Sequence, residues 1–391
     1  KVVVGDTGRD SNPNASPLSM SNWQGGIGQY QTEEVGPRDR AWWSTCQLRY
    51  KNQLLLPGLA TTTADAGVSG TYTIGAIGEL ADEIYAAFGT SVQKYNNTTD
   101  SWGSSLHTLP AVATDVITVR LGGTVYLVFA TTGGYTYTSD GVTFTDVATD
   151  AKYLAFWDGK LWGIDNTGLL WGTSVLGSEG SDAQLPLPDG YVSDLFVSRS
   201  AAGDPILYAA TKVGLYARDA ENVTWVETEL KLPYHPNGGI GSAKWRDSLY
   251  MPAGLGVYKY INGANSAVIT IVGPDRDYGL PSDKRGTVKQ LIGSHNDLLA
   301  IVDGTTAPGT ALANFATGGM ASHHSSPVIQ VDTGYSSILG WNELGWEVKW
   351  LSGAAAQAIT YAHVSNAYST YRLWWAHNQR VYYMALPSDI I

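Results

Sequence analysis

The fold of this chain is constrained most by a short strand pattern that returns seven times. Each copy has two adjacent apolar or aromatic residues on a strand, then a small turn and a second strand rich in aromatic residues. The copies are Ile84-Tyr85, Val125-Tyr126, Leu161-Trp162, Leu207-Tyr208, Leu249-Tyr250, Leu298-Leu299 and Leu373-Trp374, and they follow one another at similar intervals except for a longer one before the last. A period of about 40 residues built from strands alone is typical of a β-propeller, in which each repeat is one four-stranded blade. The sequence therefore predicts an all-β fold, a seven-bladed β-propeller.

Further markers recur at similar positions inside the copies. Before the pair comes a tight turn made of residues that tolerate a positive φ angle, as in Gly122-Gly123, Asp158-Gly159 and Asn296-Asp297. An aromatic residue expected on the fourth strand follows the pair at a nearly constant interval, at Trp102, Phe144 and Trp225. A Leu-Pro dipeptide then ends the blade, at Leu109-Pro110, Leu187-Pro188, Leu232-Pro233 and Leu280-Pro281. Proline suits the end of an outer strand because it cannot donate to a strand ladder.

The last copy predicts how the ring closes. The interval that separates the pair from the outer strand in earlier copies, counted from Trp374, reaches Ile391 at the end of the sequence, so the seventh blade is expected to lack that strand. Residues 48–56 have the composition of an outer strand and end in a Leu-Pro dipeptide with no blade before it. We therefore expect an N-terminal strand that contains Leu54, Leu55, Leu56 and Pro57 to complete the last blade. Such closure removes the free sheet edges that would otherwise invite aggregation.

Two segments fall outside the repeat. Residues 1–45 are rich in Asn, Gly, Ser and Pro and are expected to form an extended N-terminal arm, with the propeller spanning residues 46–391. The gap between the sixth and seventh copies contains a long insertion, at about residues 304–335. Because the sixth copy is the weakest, a six-bladed ring with an inserted subdomain is the alternative architecture.

Composition excludes several classes of function. Charged residues make up 15% of the chain and its net charge is −11, which argues against a nucleic-acid partner because phosphate binding needs clustered Lys and Arg. No apolar run approaches the roughly 18 residues of a membrane span. Cys46 is the only cysteine, so the chain can form neither an internal disulfide nor a zinc site built on several cysteines. Low charge with abundant hydroxyl residues is common in extracellular and virion proteins.

Candidate reactive residues are better explained by ordinary loops. Asp275, Asp277 and Tyr278 form the one crowded acidic loop after an outer strand, and they are interpreted as solvated. His323 and His324 are adjacent, so on an extended segment their side chains point in opposite directions, and no carboxylate lies close to them in the sequence. No nucleotide-binding or nucleophile motif is present. We therefore expect no catalytic, cofactor-binding or metal-binding residues.

The segment Thr138-Ser139-Asp140-Gly141-Val142-Thr143-Phe144 resembles the Asp-box of sialidases and related propellers, with a slightly shorter spacing than usual. The resemblance implies that Asp140 and Thr143 tie a β-turn together and that Phe144 packs between blades. It implies no catalysis, because the Asp-box lies away from the active site. The arginine-containing start that sialidases share is missing from this chain.

The N-terminal region is similar to the leader of propeller proteins in the virions of tailed bacteriophages. The residues that carry this similarity are the stretch 22–29 (Asn-Trp-Gln-Gly-Gly-Ile-Gly-Gln), the stretch 38–43 that ends in Trp42-Trp43, and Pro57-Gly58 after the leucine run. In those proteins the Pro-Gly opens its strand, whereas here it follows the strand. The similarity implies a structural component of a phage particle, or one that contacts the host surface.

Three functions are compatible with the sequence. The first is a non-enzymatic virion or assembly protein, whose partners are other virion or assembly subunits and whose contacts include Trp23, Trp42, Trp43, His323 and His324. The second is a carbohydrate-binding propeller located on a virion or outside the cell, because exposed aromatic side chains stack on sugars; Trp341 and Trp346, which lie off the repeat, are further candidates for such contacts. The third is a glycan-cleaving enzyme, which would need a pair of acids on one face of the ring.

Overall fold

The computed structural model is an all-β, seven-bladed propeller, as the repeat predicted. It describes residues 73–200, 203–219, 221–262, 267–274, 286–304, 336–343, 345–352 and 358–386, together with the backbone of five short strands nearer the N-terminus. Those strands are β1 (Val2–Val3), β2 (Ser19–Met20), β3 (Cys46–Arg49), β4 (Leu54–Pro57) and β5 (Thr62–Thr63). A 3-10 turn at Ala367–Ser369 interrupts the strands of the last blade.

Each blade is an antiparallel sheet, and in blades 2 to 6 its four strands follow one another along the chain. Blade 1 contains β6 (Ile74–Leu80), β7 (Glu83–Phe88), β8 (Ser91–Asn96), β9 (Ser101–Trp102) and β10 (His107–Thr108), with β9 and β10 both paired to β8. Blade 2 contains β11 (Ala113–Leu121), β12 (Thr124–Thr131), β13 (Gly134–Thr138) and β14 (Thr145–Val147). Blade 3 contains β15 (Tyr153–Trp157), β16 (Lys160–Ile164), β17 (Leu169–Thr173) and β18 (Gly180–Gln184).

The remaining blades follow the same order from the ring axis outward. Blade 4 contains β19 (Val192–Arg199), β20 (Pro205–Thr211), β21 (Gly214–Asp219) and β22 (Thr224–Lys231). Blade 5 contains β23 (Ala243–Trp245), β24 (Ser248–Ala253), β25 (Gly256–Ile261) and β26 (Val268–Gly273). Blade 6 contains β27 (Thr287–Gly293), β28 (Leu298–Asp303), β29 (Ser337–Trp341) and β30 (Trp346–Leu351). Blade 7 contains β31 (Ile359–Ser365), β32 (Arg372–His377) and β33 (Arg380–Ala385), with β5 as its fourth strand.

All seven recurring pairs lie on the second strand of a blade, and this placement explains why two adjacent residues are needed. Successive side chains on a strand point to opposite faces of the sheet. In blade 1, Ile84 packs in the cluster shared with blade 7, whereas Tyr85 packs in the cluster shared with blade 2. In blade 7, Leu373 packs against blade 6 and Trp374 packs against blade 1. Seven apolar clusters result, one at each boundary between neighbouring blades.

Two of the three predicted turns have the expected backbone conformation, whereas neither Asn296 nor Asp297 has a positive φ angle. Gly122 and Gly123 have φ angles of 55° and 89°, and Asp158 and Gly159 have φ angles of 52° and 70°. Positive φ at both central residues is the geometry of a two-residue hairpin turn whose twist matches the flanking strands.

The closing strand lies later in the chain than the sequence predicted. Thr62 and Thr63 of β5 pair with Tyr383 and Tyr382 of β33, whereas Leu54–Pro57 pairs with Cys46–Arg49 in a separate hairpin. The two candidate strands differ in the length of their connection to the next blade. The connection from β5 to the inner strand β6 nearly matches the one that joins β22 of blade 4 to β23 of blade 5. A connection from β4 to β6 would be longer, so the Leu-Pro dipeptide is a poor marker of the closing strand here.

The six-bladed alternative is wrong, because the weak sixth copy forms a complete sheet. Its third strand, Ser337–Trp341, pairs with Leu298–Asp303 across the long insertion. Residues 305–335 of that insertion, which include His323 and His324, lie outside the described residues.

Close approach of neighbouring blades requires a small residue at Gly75. A Cβ atom there would lie 2.1 Å from the carbonyl oxygen of Ala113 on the inner strand of blade 2. We expect Gly75→Ala to lower the free energy of unfolding by roughly 1–3 kcal/mol, because a backbone atom cannot move aside as a side chain can. Chemical denaturation would measure this.

The matched control is Gly180→Ala on an outer strand, where the nearest atom is the Gly172 oxygen at 4.0 Å. This variant is expected to be as stable as the parent or slightly more so, since alanine restricts the unfolded chain. Equal stabilities for the two variants would contradict the packing argument.

Candidate functional site

The candidate site is a cavity of about 350 Å³ on the ring axis, at the end where the inner strands begin. Inner strands from around the ring contribute to its wall, so it belongs to no single blade. The wall combines apolar residues with polar side chains, among them Thr114, Asp115, Lys152, Asp194, Gln290 and Tyr361. We call this space the central cavity.

A β-bulge that recurs in the inner strands directs these side chains towards the cavity. The pairing register between the first and second strands shifts at the same point in five blades, at Ile74/Ala76, Ala113/Asp115, Val192/Asp194, Val288/Gln290 and Ile359/Tyr361. A β-bulge bends its strand and redirects the side chains beside it. Asp115, Asp194, Gln290 and Tyr361 therefore occupy equivalent positions in four blades.

The carboxylates and the amide at these positions hold neighbouring blades together. Asp115 accepts hydrogen bonds from the backbone N–H of Val116 (2.8 Å) on one oxygen and of Leu154 in blade 3 (2.9 Å) on the other. Asp194 accepts from the N–H of Leu195 (2.8 Å) and also interacts with the backbone of Ser242 in blade 5.

The side-chain amide of Gln290 forms hydrogen bonds with both the N–H and the carbonyl of Ala362 in blade 7. Its Oε1 accepts from the N–H at 2.8 Å, and its Nε2 donates to the carbonyl at 2.9 Å. Each of these side chains thus replaces part of the backbone pairing that is missing between inner strands of different blades.

Other side chains at the cavity make similar ties. Thr114 Oγ1 donates to the carbonyl of Lys152 (2.8 Å), and Lys152 Nζ donates to the carbonyl of Val192 in blade 4 (3.0 Å). Thr360 Oγ1 in blade 7 donates to the carbonyl of Ile74 in blade 1 (2.8 Å). These bonds satisfy backbone groups that would otherwise be buried without partners.

Burial changes the protonation of the two acids. It raises the pKa of Asp115 to about 7, against the opposing effect of its two backbone hydrogen bonds. Burial also raises the pKa of Asp194 well above its ordinary value, with a further increase from the negative charge of Asp115. Protein surrounds both carboxyl groups, but each keeps some surface towards the cavity, where water moderates the cost of ionisation. The pair therefore carries less than its full charge near neutral pH.

Nearby bases are affected in the opposite direction. Burial, with a smaller effect of Lys212, lowers the pKa of Lys152. Burial lowers the pKa of His363 on the inner strand of blade 7 to about 4, and its Nε2 has no hydrogen-bond partner. His363 is therefore neutral at physiological pH. No group of three or more His, Cys, Asp or Glu side chains within the described residues could hold a metal ion.

The Asp-box-like turn is a structural device in this fold. Asp140 Oδ1 accepts from the N–H of Thr143 (2.7 Å), the N–H of Val142 (2.9 Å) and the hydroxyl of Thr138 (3.1 Å). These bonds, led by that from Thr143, lower the pKa of Asp140 to about 2. Phe144 stacks on His107 of blade 1 with ring centroids 5.1 Å apart, so the aromatic residue lies between two blades.

The structure does not place the other predicted contacts at this cavity. Trp23, Trp42, Trp43, His323 and His324 lie outside the described residues, as do Asp275, Asp277 and Tyr278. The interpretation of Trp341 and Trp346 as contact residues off the repeat is wrong, because both belong to blade 6 and their rings pack against each other with centroids 5.3 Å apart. Trp346 is 3% exposed, and its indole N–H donates to the carbonyl of Val272 in blade 5 at 2.8 Å.

Sequence reasoning missed Asp115, Asp194 and Gln290 because each stands inside a strand. A signal does exist in the inner-strand segments. Each of these residues comes two positions after an apolar residue and one before another, as in Val192-Ser193-Asp194-Leu195 and Val288-Lys289-Gln290-Leu291. Aligning the copies on their inner strands would reveal a polar position that the recurring pairs do not.

A second cavity, of about 560 Å³, lies at the boundary between blades 1 and 7. Tyr368, the amides of Asn96 and Asn97, and the Glu83–Lys94 ion pair (2.6 Å) line it. Tyr368 has φ 58° and ψ 29°, a left-handed conformation that is costly for a non-glycine residue. The hydroxyl of Tyr368 donates to the carbonyl of Tyr95 (3.2 Å) and accepts from the N–H of Ile84 (3.3 Å). These two hydrogen bonds hold the side chain of Tyr368 at this boundary.

Comparison with solved structures agrees with the propeller fold. The extracellular domain assigned to a hybrid two-component system of B. thetaiotaomicron matches with a TM-score of 0.56 at 13% identity, over 85% of this chain and 40% of that one. This chain therefore spans about 40% of the length of that domain. YCF48 from Cyanidioschyzon merolae matches with a TM-score of 0.54 at 9% identity, over 84% and 99% of the two chains. A chain of the mitotic checkpoint complex matches with a TM-score of 0.53 at 12% identity, over 88% and 97%.

At these identities the similarity shows the fold alone. No family model matches the sequence, and no curated protein matches it significantly. Within the described part of the chain, no helix has the length and apolar character needed to cross a membrane.

The raised pKa of Asp115 predicts a dependence of stability on pH. Its carboxyl binds a proton more tightly in the folded state (about 7) than at its ordinary value of 3.8. The stabilisation from that proton is present below about pH 4 and is lost as the pH rises towards 7. Relative to an Asp115→Asn variant, the wild-type protein is expected to lose on the order of 1–2 kcal/mol of unfolding free energy between pH 5 and 8.

Denaturant unfolding at pH 5, 6, 7 and 8 would measure this difference, in which the titration of common groups cancels, except for that of Asp194, whose pKa is raised by burial and further by the charge of Asp115. Asp158→Asn, which removes an exposed carboxyl at a hairpin turn, is the matched control. A constant difference between wild type and Asp115→Asn across this range would contradict the raised pKa.

Proposed function

We propose that this chain is a non-enzymatic assembly protein, a component of a tailed-phage virion. The propeller ring acts as a rigid platform, and residues 1–45 dock onto neighbouring subunits. The observation that carries this proposal is that polar side chains in the central cavity form hydrogen bonds with the backbone of the next blade.

The same observation argues against the glycan-cleaving alternative. A pair of acids does face the central cavity, which is what that alternative required. A general acid or nucleophile, however, must present an oxygen to the substrate. Both oxygens of Asp115 instead accept backbone N–H groups, one from its own blade and one from the next. This use of both oxygens supports a structural role for the carboxyl.

The virion assignment rests on the N-terminal sequence and the composition. The stretch 22–29 and Trp42-Trp43 resemble the leader of phage propellers, and the low charge suits a virion or extracellular location. Two structurally similar proteins offer support for protein binding as a use of this fold. One is YCF48, described bound to a D1 peptide, and the other is a chain of the mitotic checkpoint complex.

Light scattering across concentration tests the role of the arm. The full chain is expected to assemble, and a chain that lacks residues 1–44 is expected to remain a monomer. A full-length variant in which Trp23, Trp42 and Trp43 are alanine keeps the length of the arm and should also lose assembly. Circular dichroism would verify that the propeller is retained in both. If the shortened chain kept the mass distribution of the full chain, the arm would have no role in assembly.

Carbohydrate binding is the second candidate, and the cavity between blades 1 and 7 favours it. The lining of this cavity combines an aromatic ring, on which a sugar can stack, with amide and charged side chains that can form hydrogen bonds to its hydroxyl groups. If this is the function, a glycan array should show binding that Asn97→Ala weakens at least tenfold. Asn262→Ala, which lines a cavity between blades 4 and 5, is the control and should bind as the parent does. Absence of binding at high protein concentration excludes this candidate.

A further inference from the structure

The outer strand of blade 5, β26, has an unusual composition for an exposed sheet edge. Its sequence is Val-Ile-Thr-Ile-Val-Gly, with no charged residue. Val268 is 50% exposed and Ile269 is 42% exposed. Among the described residues, no strand pairs with its outward edge.

The other outer strands of more than two residues each carry charge. Those residues are Asp146 in blade 2, Asp182 in blade 3, Glu227, Glu229 and Lys231 in blade 4, and Glu347 and Lys349 in blade 6. Charge on an edge strand prevents unwanted pairing with another chain. In blade 6 the side chains of the two charged residues are buried and paired with each other, so among these outer strands that of blade 5 has no charged residue and that of blade 6 has no exposed charge.

The free part of the edge has defined limits. At its C-terminal end, Val272 is a bulge residue whose carbonyl accepts the indole N–H of Trp346 at 2.8 Å, and Gly273 is buried. The segment from Val268 to Ile271 remains available. It pairs on its inner side with β25, from Ile261 to Tyr258.

The strand sequence Val268-Ile269-Thr270-Ile271-Val272 reads the same in both directions, and its central part, Ile269-Thr270-Ile271, lies within the free edge. In an antiparallel pair of two copies with a twofold axis at Thr270, Thr270 lies opposite Thr270 and Ile269 lies opposite Ile271. A twofold interface requires this self-complementarity, since each surface meets its own copy. We propose that β26 pairs with β26 of a second copy of this chain, which joins two propellers edge to edge.

This inference rests on the proposed assembly function and identifies one of its contacts. β-Branched residues placed opposite one another across strands form favourable pairs, as do two threonines. A pair of strands this short buries well below the roughly 1,000 Å² typical of stable interfaces. The dimer is therefore weak in isolation and is strengthened where other contacts, such as those of the arm, hold the subunits close.

A charge exchange at the twofold axis tests the proposal on the full chain. Thr270→Lys and Thr270→Glu each place like charges opposite one another, so each should lower self-association at least tenfold in sedimentation equilibrium up to millimolar concentration. An equal mixture of the two variants should recover association, because each dimer then pairs a lysine with a glutamate. Thr145→Lys, on the outer strand of blade 2, is the control and should associate as the parent does.

Cross-linking tests the register in a Cys46→Ser background. Residues directly opposite in an antiparallel pair have Cα atoms about 4.5–5.5 Å apart, which a disulfide can span. Thr270→Cys should therefore form a covalent dimer on mild oxidation. Val268→Cys should not, because its copies would lie about 13 Å apart along the strands.

The outcomes separate this inference from the role of the arm. If deletion of residues 1–44 abolishes assembly and Thr270→Lys leaves it unchanged, the arm functions as proposed and the edge pairing is wrong. If Thr270→Lys abolishes assembly and the deletion leaves it unchanged, the edge pairing holds without the arm. Failure of the Lys and Glu variants to recover association when mixed also overturns the edge pairing.

Discussion

The structure depends on one property of the second strand in each blade, namely that it is covered on both faces. Adjacent side chains on that strand pack against different neighbours, the first towards the preceding blade and the second towards the following one. Leu161 and Trp162 of blade 3 show this, since they belong to the clusters shared with blades 2 and 4 respectively. Each blade therefore needs two partners, and only a closed ring supplies two partners to every blade.

Closure of the ring sets the conditions at its axis. Inner strands from neighbouring blades lie side by side without a continuous ladder, so their backbone groups need other partners. Asp115, Gln290 and Thr360 provide these partners from positions at or beside the bulges. The polar side chains at the central cavity meet this requirement. At the rim the situation is reversed, because each outer strand has one edge without a partner and must rely on charge or on a contact to protect it.

Much of the fold could be predicted because it rests on local patterns. Pairs such as Leu207-Tyr208 mark the second strands, and Asp158-Gly159 marks a hairpin turn, since each depends on the residues themselves. The position of the closing strand could not be derived in this way. Leu54–Pro57 and Thr62–Thr63 both have the character of strands, and the length of chain leading to blade 1 favours the second. Trp346 was misjudged for a related reason, because the long insertion hid the third strand that precedes it.

The sequence by itself determined the class of fold and the two-sided packing of each blade, because periodic apolar residues specify which faces must be buried; it favoured seven blades, and the tertiary structure excluded six. Tertiary structure alone decided what the polar residues do. Asp115 and Asp194 are separated by two blade boundaries, and their carboxyls influence each other only because the ring brings the inner strands to one axis. The exposed edge of β26 is likewise a consequence of position, since the same run of residues would be an ordinary buried strand in the middle of a sheet. The role of each of these residues depends on how far it is buried and on which residues lie next to it, and both are set by the closed ring.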